Sequence, residues 1–136
     1  MSLRFTTIFS FDRLDAGWLD FTLGGVRFMA SHMSDFPLDL CQGTIRLLDG
    51  AEHVRIAFTD EHTGFQIRLQ EHSDMVTVSV EERLKFRCTV KEWAQSVFDF
   101  LSAMRDAHPG NDYKRAWMGP DFPWDSFGAL CEKMDR

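Results

Sequence analysis

The sequence predicts an α+β fold: one domain, with an antiparallel sheet of about five to six strands and about two or three helices packed on one face of it. Three observations carry this. Between residues 53 and 90, four short segments alternate apolar and polar residues and are joined by short polar connections. Longer segments near 37–48, 91–107 and 123–134 repeat apolar residues at helical spacing. The length, 136 residues with 44% hydrophobic and 26% charged, suits a single domain with its own core and is short for two ordinary ones.

The elements follow in order. Arg4 to Phe11 and Trp18 to Ala30 read as a hairpin, with Phe5, Thr7, Phe9 and Phe11 on one face and a turn across Asp12–Gly17. The second strand places Leu19, Phe21 and Leu23 together. Gly24-Gly25 then reads as a bulge or bend, after which Val26, Phe28 and Ala30 resume the alternation. A helix is predicted from Pro37 to Leu48. Ser34 or Asp35 can cap it, Pro37 suits its first turn, and Leu38, Cys41, Ile45 and Leu48 share one face.

Strands are predicted at His53–Thr59, Phe65–Gln70, Met75–Glu81 and Leu84–Val90. Their inward sets are Val54/Ile56/Phe58, Phe65/Ile67/Leu69, Val76/Val78/Val80 and Leu84/Phe86/Cys88/Val90. Connections this short permit only hairpins, so the four form an antiparallel meander with one wet face. Thr89 and Glu92 have capping-box spacing and open a helix that carries Trp93, Val97, Phe100, Leu101 and Met104 inward as far as His108-Pro109-Gly110. The segment Asn111–Pro120, with Tyr113, Lys114, Arg115, Trp117 and Met118, reads as cover over the core edge. Asp-Phe-Pro at 121–123, a repeat of 35–37, opens a last helix with Trp124, Phe127, Leu130, Cys131 and Met134 at near-helical spacing. The 13 Phe and 4 Trp against 1 Tyr point to a dense aromatic core, because Phe has no polar handle.

Charge sets the class of partner. Fifteen Lys+Arg against 21 Asp+Glu leave a net charge of −6, which argues against general attraction to nucleic acid or anionic lipid. Cys41, Cys88 and Cys131 are scattered and odd in number, with no C-x-x-C, which fits a reducing cytoplasmic setting. No uncharged run is long enough to span a membrane. The apolar start meets Asp12 without a small-residue cleavage site, so it reads as a strand rather than a signal peptide.

No nucleotide-binding, serine-hydrolase, zinc-protease or EF-hand signature is present, so no catalytic residue, cofactor or metal is assigned. Two patterns invite a site. His53 and His72 follow Glu52 and Glu71 at strand ends; they share the outward face at one end of a hairpin, either opposite or one diagonal step apart. The second pattern is basic. Arg55, Arg68, Lys85 and Arg87 all fall at outward positions among Gln66, Gln70, Thr77 and Ser79, with no acid in the middle of the face. Tight hairpins would align Arg68, Thr77 and Arg87 in one row, with Arg55 at or near its end.

The order of elements resembles small bacterial domains, including immunity-type proteins that bind and neutralise a toxin. The features are the N-terminal hairpin, the Ser34-Asp35-Phe36-Pro37 helix start, the meander, the Thr89–Glu92 helix and the Pro123-Trp124 ending. The likeness lies in layout and transfers no active site. Two functions are therefore expected. One is a non-enzymatic interaction module that uses its basic outward face, or an exposed strand edge, to meet a protein partner with an acidic patch or a second copy of itself. The other is a small-molecule binder or hydrolase with a pocket between sheet and helices. The apolar inward positions of the meander favour the first.

Overall fold

A computed structural model describes residues 8–135. Arg4–Thr7 of the first predicted strand, with Phe5 and Thr7, lie outside the described residues. The fold is α+β and antiparallel, as the sequence predicts, but among the described residues it holds seven strands in two sheets rather than about five to six in one. Its strands are β1 (Phe9–Asp15), β2 (Trp18–Leu23), β3 (Val26–Ser31), β4 (His53–Thr59), β5 (Gly64–His72), β6 (Met75–Val80) and β7 (Leu84–Thr89). They divide between two sheets, β1-β2-β3 and β4-β5-β6-β7. The helices are α1 (Phe36–Leu48), α2 (Val90–Ala107), α3 (Asp112–Trp117) and α4 (Trp124–Met134).

The three-stranded sheet departs from its predicted detail in two places. Gly24-Gly25 is not a bulge. It is a two-residue hairpin turn between Leu23 and Val26, with φ of 56° and 85°. Positive φ at both central residues matches the right-handed twist of the flanking strands, and glycine adopts it without a Cβ clash. The bulge lies instead in β1, where the register shifts between Phe11 and Arg13. One extra residue there lets Phe9 and Leu14, of opposite sequence parity, both face the core at 2% exposure. The β1–β2 turn then narrows to Ala16-Gly17.

The two sheets meet through aromatic rings. Phe21 lies 5.5 Å from Phe58, edge to face, and Phe28 lies 5.8 Å from Phe58 and 6.2 Å from Phe65. Phe36 of α1 stacks on Phe21 at 5.1 Å, and Phe100 of α2 sits 4.7 Å from Phe9. The phenylalanine excess is thus spent on one shared core. β3 and β4 touch without a ladder, through a 3.2 Å hydrogen bond between Ser31 Oγ and Thr59 Oγ1.

The helices close the remaining apolar surface. α1 lies along β4 because Gly43 faces the strand: a Cβ there would stand 2.7 Å from Ile56 Cγ1. α2 opens on the predicted capping box. The Glu92 amide donates to Thr89 Oγ1 at 3.0 Å, and the Thr89 amide donates to Glu92 Oε1 at 2.8 Å. Its Trp93, Val97, Phe100, Leu101 and Met104 are buried as predicted. The 111–120 segment contributes α3, whose Tyr113 and Trp117 are buried core cover. Neither Asp35 nor Pro123 makes a side-chain cap bond. Trp124 stays 51% exposed and leans on Phe122, with ring centroids 4.7 Å apart. Among the described residues, no helix is long and apolar enough to cross a membrane.

Candidate functional site: the outward face of the four-stranded sheet

Alternation along β4–β7 sends one set of side chains into the core and leaves the other outside. Apart from the half-buried Glu71 near the end of β5, the inward residues of β4, β5 and β6, from Val54 to Val80, are apolar and no more than 9% exposed. Two rows of outward residues cross all four strands. One row is Arg55–Arg68–Ser79–Lys85 and the other is His53–Gln70–Thr77–Arg87. All four predicted basic residues therefore share this face, and all four are exposed. No Asp or Glu occupies an outward position on these strands.

The rows differ from the predicted one. Arg68 faces Ser79 rather than Thr77, and Arg87 belongs to the neighbouring row. The cause is the β5–β6 connection. A four-residue link at 71–74 was expected, whereas the turn is Ser73-Asp74, both at positive φ, with His72 paired to Met75. Two extra residues on β5 move every partner by two. The shift puts Lys85 in place of Arg87 in the Arg68 row, while the β4–β5 ladder makes Arg55 and Arg68 direct partners.

Residues of both rows line a groove of about 290 Å³ that includes Arg68, Thr77, Ser79 and Lys85. Arg55 also borders a larger groove of about 730 Å³ between α1 and α4, whose walls include Asp39, Arg46 and Asp125. Among the described residues, none of Arg55, Arg68, Lys85 and Arg87 is held in an ion pair, although other ion pairs such as Lys133–Asp49 (2.6 Å) and Arg13–Asp15 (3.1 Å) do form. Like charges on directly opposed strand positions destabilise a sheet by roughly 0.2–1 kcal/mol. The long aliphatic stems of Arg and Lys still cover the sheet while their charged ends reach water.

His53 pairs with Gln70, so His72 lies one diagonal step away, as one of the two predicted arrangements has it. Both rings are exposed. Among the described residues, no group of three His, Cys, Asp or Glu side chains is arranged to hold a metal. The Cys41 and Cys88 thiols are buried, and burial pushes each up to about 12. They are inert core residues at neutral pH.

A second polar cluster escaped the sequence reading. Ser34 Oγ and Asp35 Oδ1, before α1, and Tyr113 Oη and Trp117 Nε1, on α3, are buried without a hydrogen-bond partner. Burial raises the Asp35 carboxyl above its ordinary 3.8; the Leu38 amide and the Trp117 indole lean toward it and offset this only in part. Burial, then the charges of Asp35 and Asp121, raise the Tyr113 phenol. It stays a neutral donor. Tyr113 and Trp117 are 1% and 0% exposed, so the cluster is a sealed junction between α3 and the α1 entrance. The aromatic 111–120 segment signalled burial, but nothing in its spacing shows that its polar tips meet Asp35.

Compared with protein families, curated proteins and solved structures, the chain matches none.

Proposed function

We propose that this protein is a non-enzymatic interaction module that docks an acidic protein partner on the outward face of β4–β7. One observation carries the reading: Arg55 and Arg68 oppose each other directly, with Lys85 in the same row and no acid at any outward position, on a chain of net charge −6. A soluble surface ordinarily mixes charges of both signs. Here the acids are kept off one face, and the repulsion between Arg55 and Arg68 is relieved when a partner brings carboxylates or other anions. Arg suits such contacts because its planar fork donates two parallel hydrogen bonds. A partner with a negative patch is steered to this face over about 10 Å at 0.1 M salt. An immunity-like binder in the cytoplasm is the form of this reading that the layout and the three free cysteines suggest. The apolar, buried inward positions of β4–β6 weigh against a small-molecule pocket beneath the sheet.

The test is capture from an extract of the source cell. Arg68→Glu with Lys85→Glu should abolish capture of the salt-sensitive partner and leave the circular dichroism spectrum unchanged, because both side chains lie in water. Undiminished capture by the folded double variant overturns the proposal.

A further inference from the structure

Resting on that docking reading, we propose that the groove over β6 is a seat for a phosphoryl dianion, presented as a phosphorylated side chain of the acidic partner. The register supplies the geometry. Ser79 on β6 pairs with Arg68 on β5 and with Lys85 on β7, so a hydroxyl-bearing residue stands between an arginine and a lysine in the register. Neighbouring strands lie about 4.8 Å apart, which sets the β5 and β7 backbones about 10 Å apart with β6 as the floor between them. Thr77 stands two residues back on β6 and adds a second hydroxyl, with Arg87 beside it on β7. Both hydroxyls are half-buried, and among the described residues neither is engaged in a hydrogen bond. Arg55 lies behind Arg68 and supplies a third positive charge to the same row.

This arrangement selects by shape and by charge. Its donors are carried by three adjacent strands, Arg68 on β5, Ser79 on β6 and Lys85 on β7, and all three residues line the groove. A carboxylate is planar with two oxygens, so a fork from one Arg satisfies it and leaves the opposite wall unused. A phosphomonoester offers three terminal oxygens in a tetrahedral array, enough to reach Arg68, Ser79 and Lys85 together. It also carries about −1.5 to −2 charges at pH 7, which better offsets three cations in one row than a single carboxylate does.

The probes are an acidic pentapeptide with phosphoserine at its centre, the same peptide with Glu there, the same peptide with Ser there, and inorganic phosphate. Binding is followed by amide chemical shifts of Thr77, Ser79 and Lys85 in the full chain. The phosphoserine peptide should bind about tenfold tighter than the Glu peptide and than phosphate alone, since only it combines the dianion with flanking acids. Lys85→Gln should remove about tenfold of that affinity and Ser79→Ala a smaller part, with the fold unchanged. Equal binding of the Glu peptide, equal binding of free phosphate, no binding of the phosphoserine peptide, or indifference to both variants each overturns the seat. Phosphatase treatment of the extract separates this proposal from the docking reading. Capture that survives phosphatase but is lost with Arg68→Glu and Lys85→Glu refutes the phosphoryl seat alone, and capture insensitive to both refutes the two together.

Discussion

The Trp93 indole N–H donates to Thr44 Oγ1 at 3.2 Å, and the Thr44 hydroxyl donates in turn to the Leu40 carbonyl at 2.8 Å. Both side chains are fully buried. This short chain ties α1 to α2, and its middle member is a single hydroxyl. Thr44→Val keeps the volume and leaves the indole N–H buried without a partner. The expected cost is about 1–3 kcal/mol, the range for an orphaned buried donor. Urea denaturation should show a lower midpoint at an unchanged slope; an unaltered midpoint would mean the indole finds another acceptor.

The capping box at α2 gives a second expectation. Thr89→Ala removes the acceptor for the Glu92 amide and should destabilise the protein by about 1 kcal/mol. Glu92→Ala breaks only the reciprocal bond to the Thr89 amide and should cost less. Equal midpoints for wild type and Thr89→Ala would show that the first turn of α2 frays without effect on the fold.

Gly43 opposes the usual rule that alanine strengthens a helix. Propensity favours Gly43→Ala by about 1 kcal/mol. The added Cβ, however, would stand 2.7 Å from Ile56 Cγ1 and 3.1 Å from Val54 Cγ1. Overpacking of this kind costs typically 1–3 kcal/mol, so the expected net effect is a loss of about 1 kcal/mol. A gain in melting temperature would show that α1 moves off β4 freely.

Asp35 sets a pH dependence. Its carboxyl is raised in the folded chain, chiefly by burial. The protonated acid is therefore favoured by folding: this contribution is full below the ordinary 3.8 and is lost as pH rises through the higher folded value. Asp35→Asn removes the charge that burial disfavours and keeps an oxygen facing the Leu38 amide and the Trp117 indole. It should raise the melting temperature at pH 7, and the advantage should shrink as pH falls toward 4. A lower melting temperature at pH 7 would mean that the carboxylate's own contacts outweigh its burial.

The meander was legible because its inward residues, Val54 to Cys88, alternate strictly and its links are too short for anything but hairpins. The Thr89–Glu92 cap was legible because it depends on two residues at fixed spacing. The Gly24-Gly25 turn left a usable signal. Inward residues change from odd (Leu19, Phe21, Leu23) to even (Phe28, Ala30) across it, as a two-residue hairpin requires, and Phe9 and Leu14 mark the β1 bulge by a similar change of parity. The division into two sheets left none: α1 separates β3 from β4, and alternation does not say which strand edges pair. The site was legible to its face but not to its rows. Placing Arg68 opposite Ser79 depends on Ser73 and Asp74 adopting positive φ, a conformation that residues other than glycine seldom announce.

The split into two sheets also shapes how the chain reaches its native state. Every β-ladder joins strands adjacent in sequence, so each sheet closes through short loops at small entropic cost. The long-range closure falls on the aromatic seam, where Phe21 and Phe28 must find Phe58 and Phe65 across the whole of α1. The expectation is that docking of the two ladders, rather than strand pairing, limits the rate of assembly. Stopped-flow refolding of Phe58→Leu should be slower than wild type, whereas a substitution within one sheet away from the seam, such as Val76→Ala, should chiefly speed unfolding.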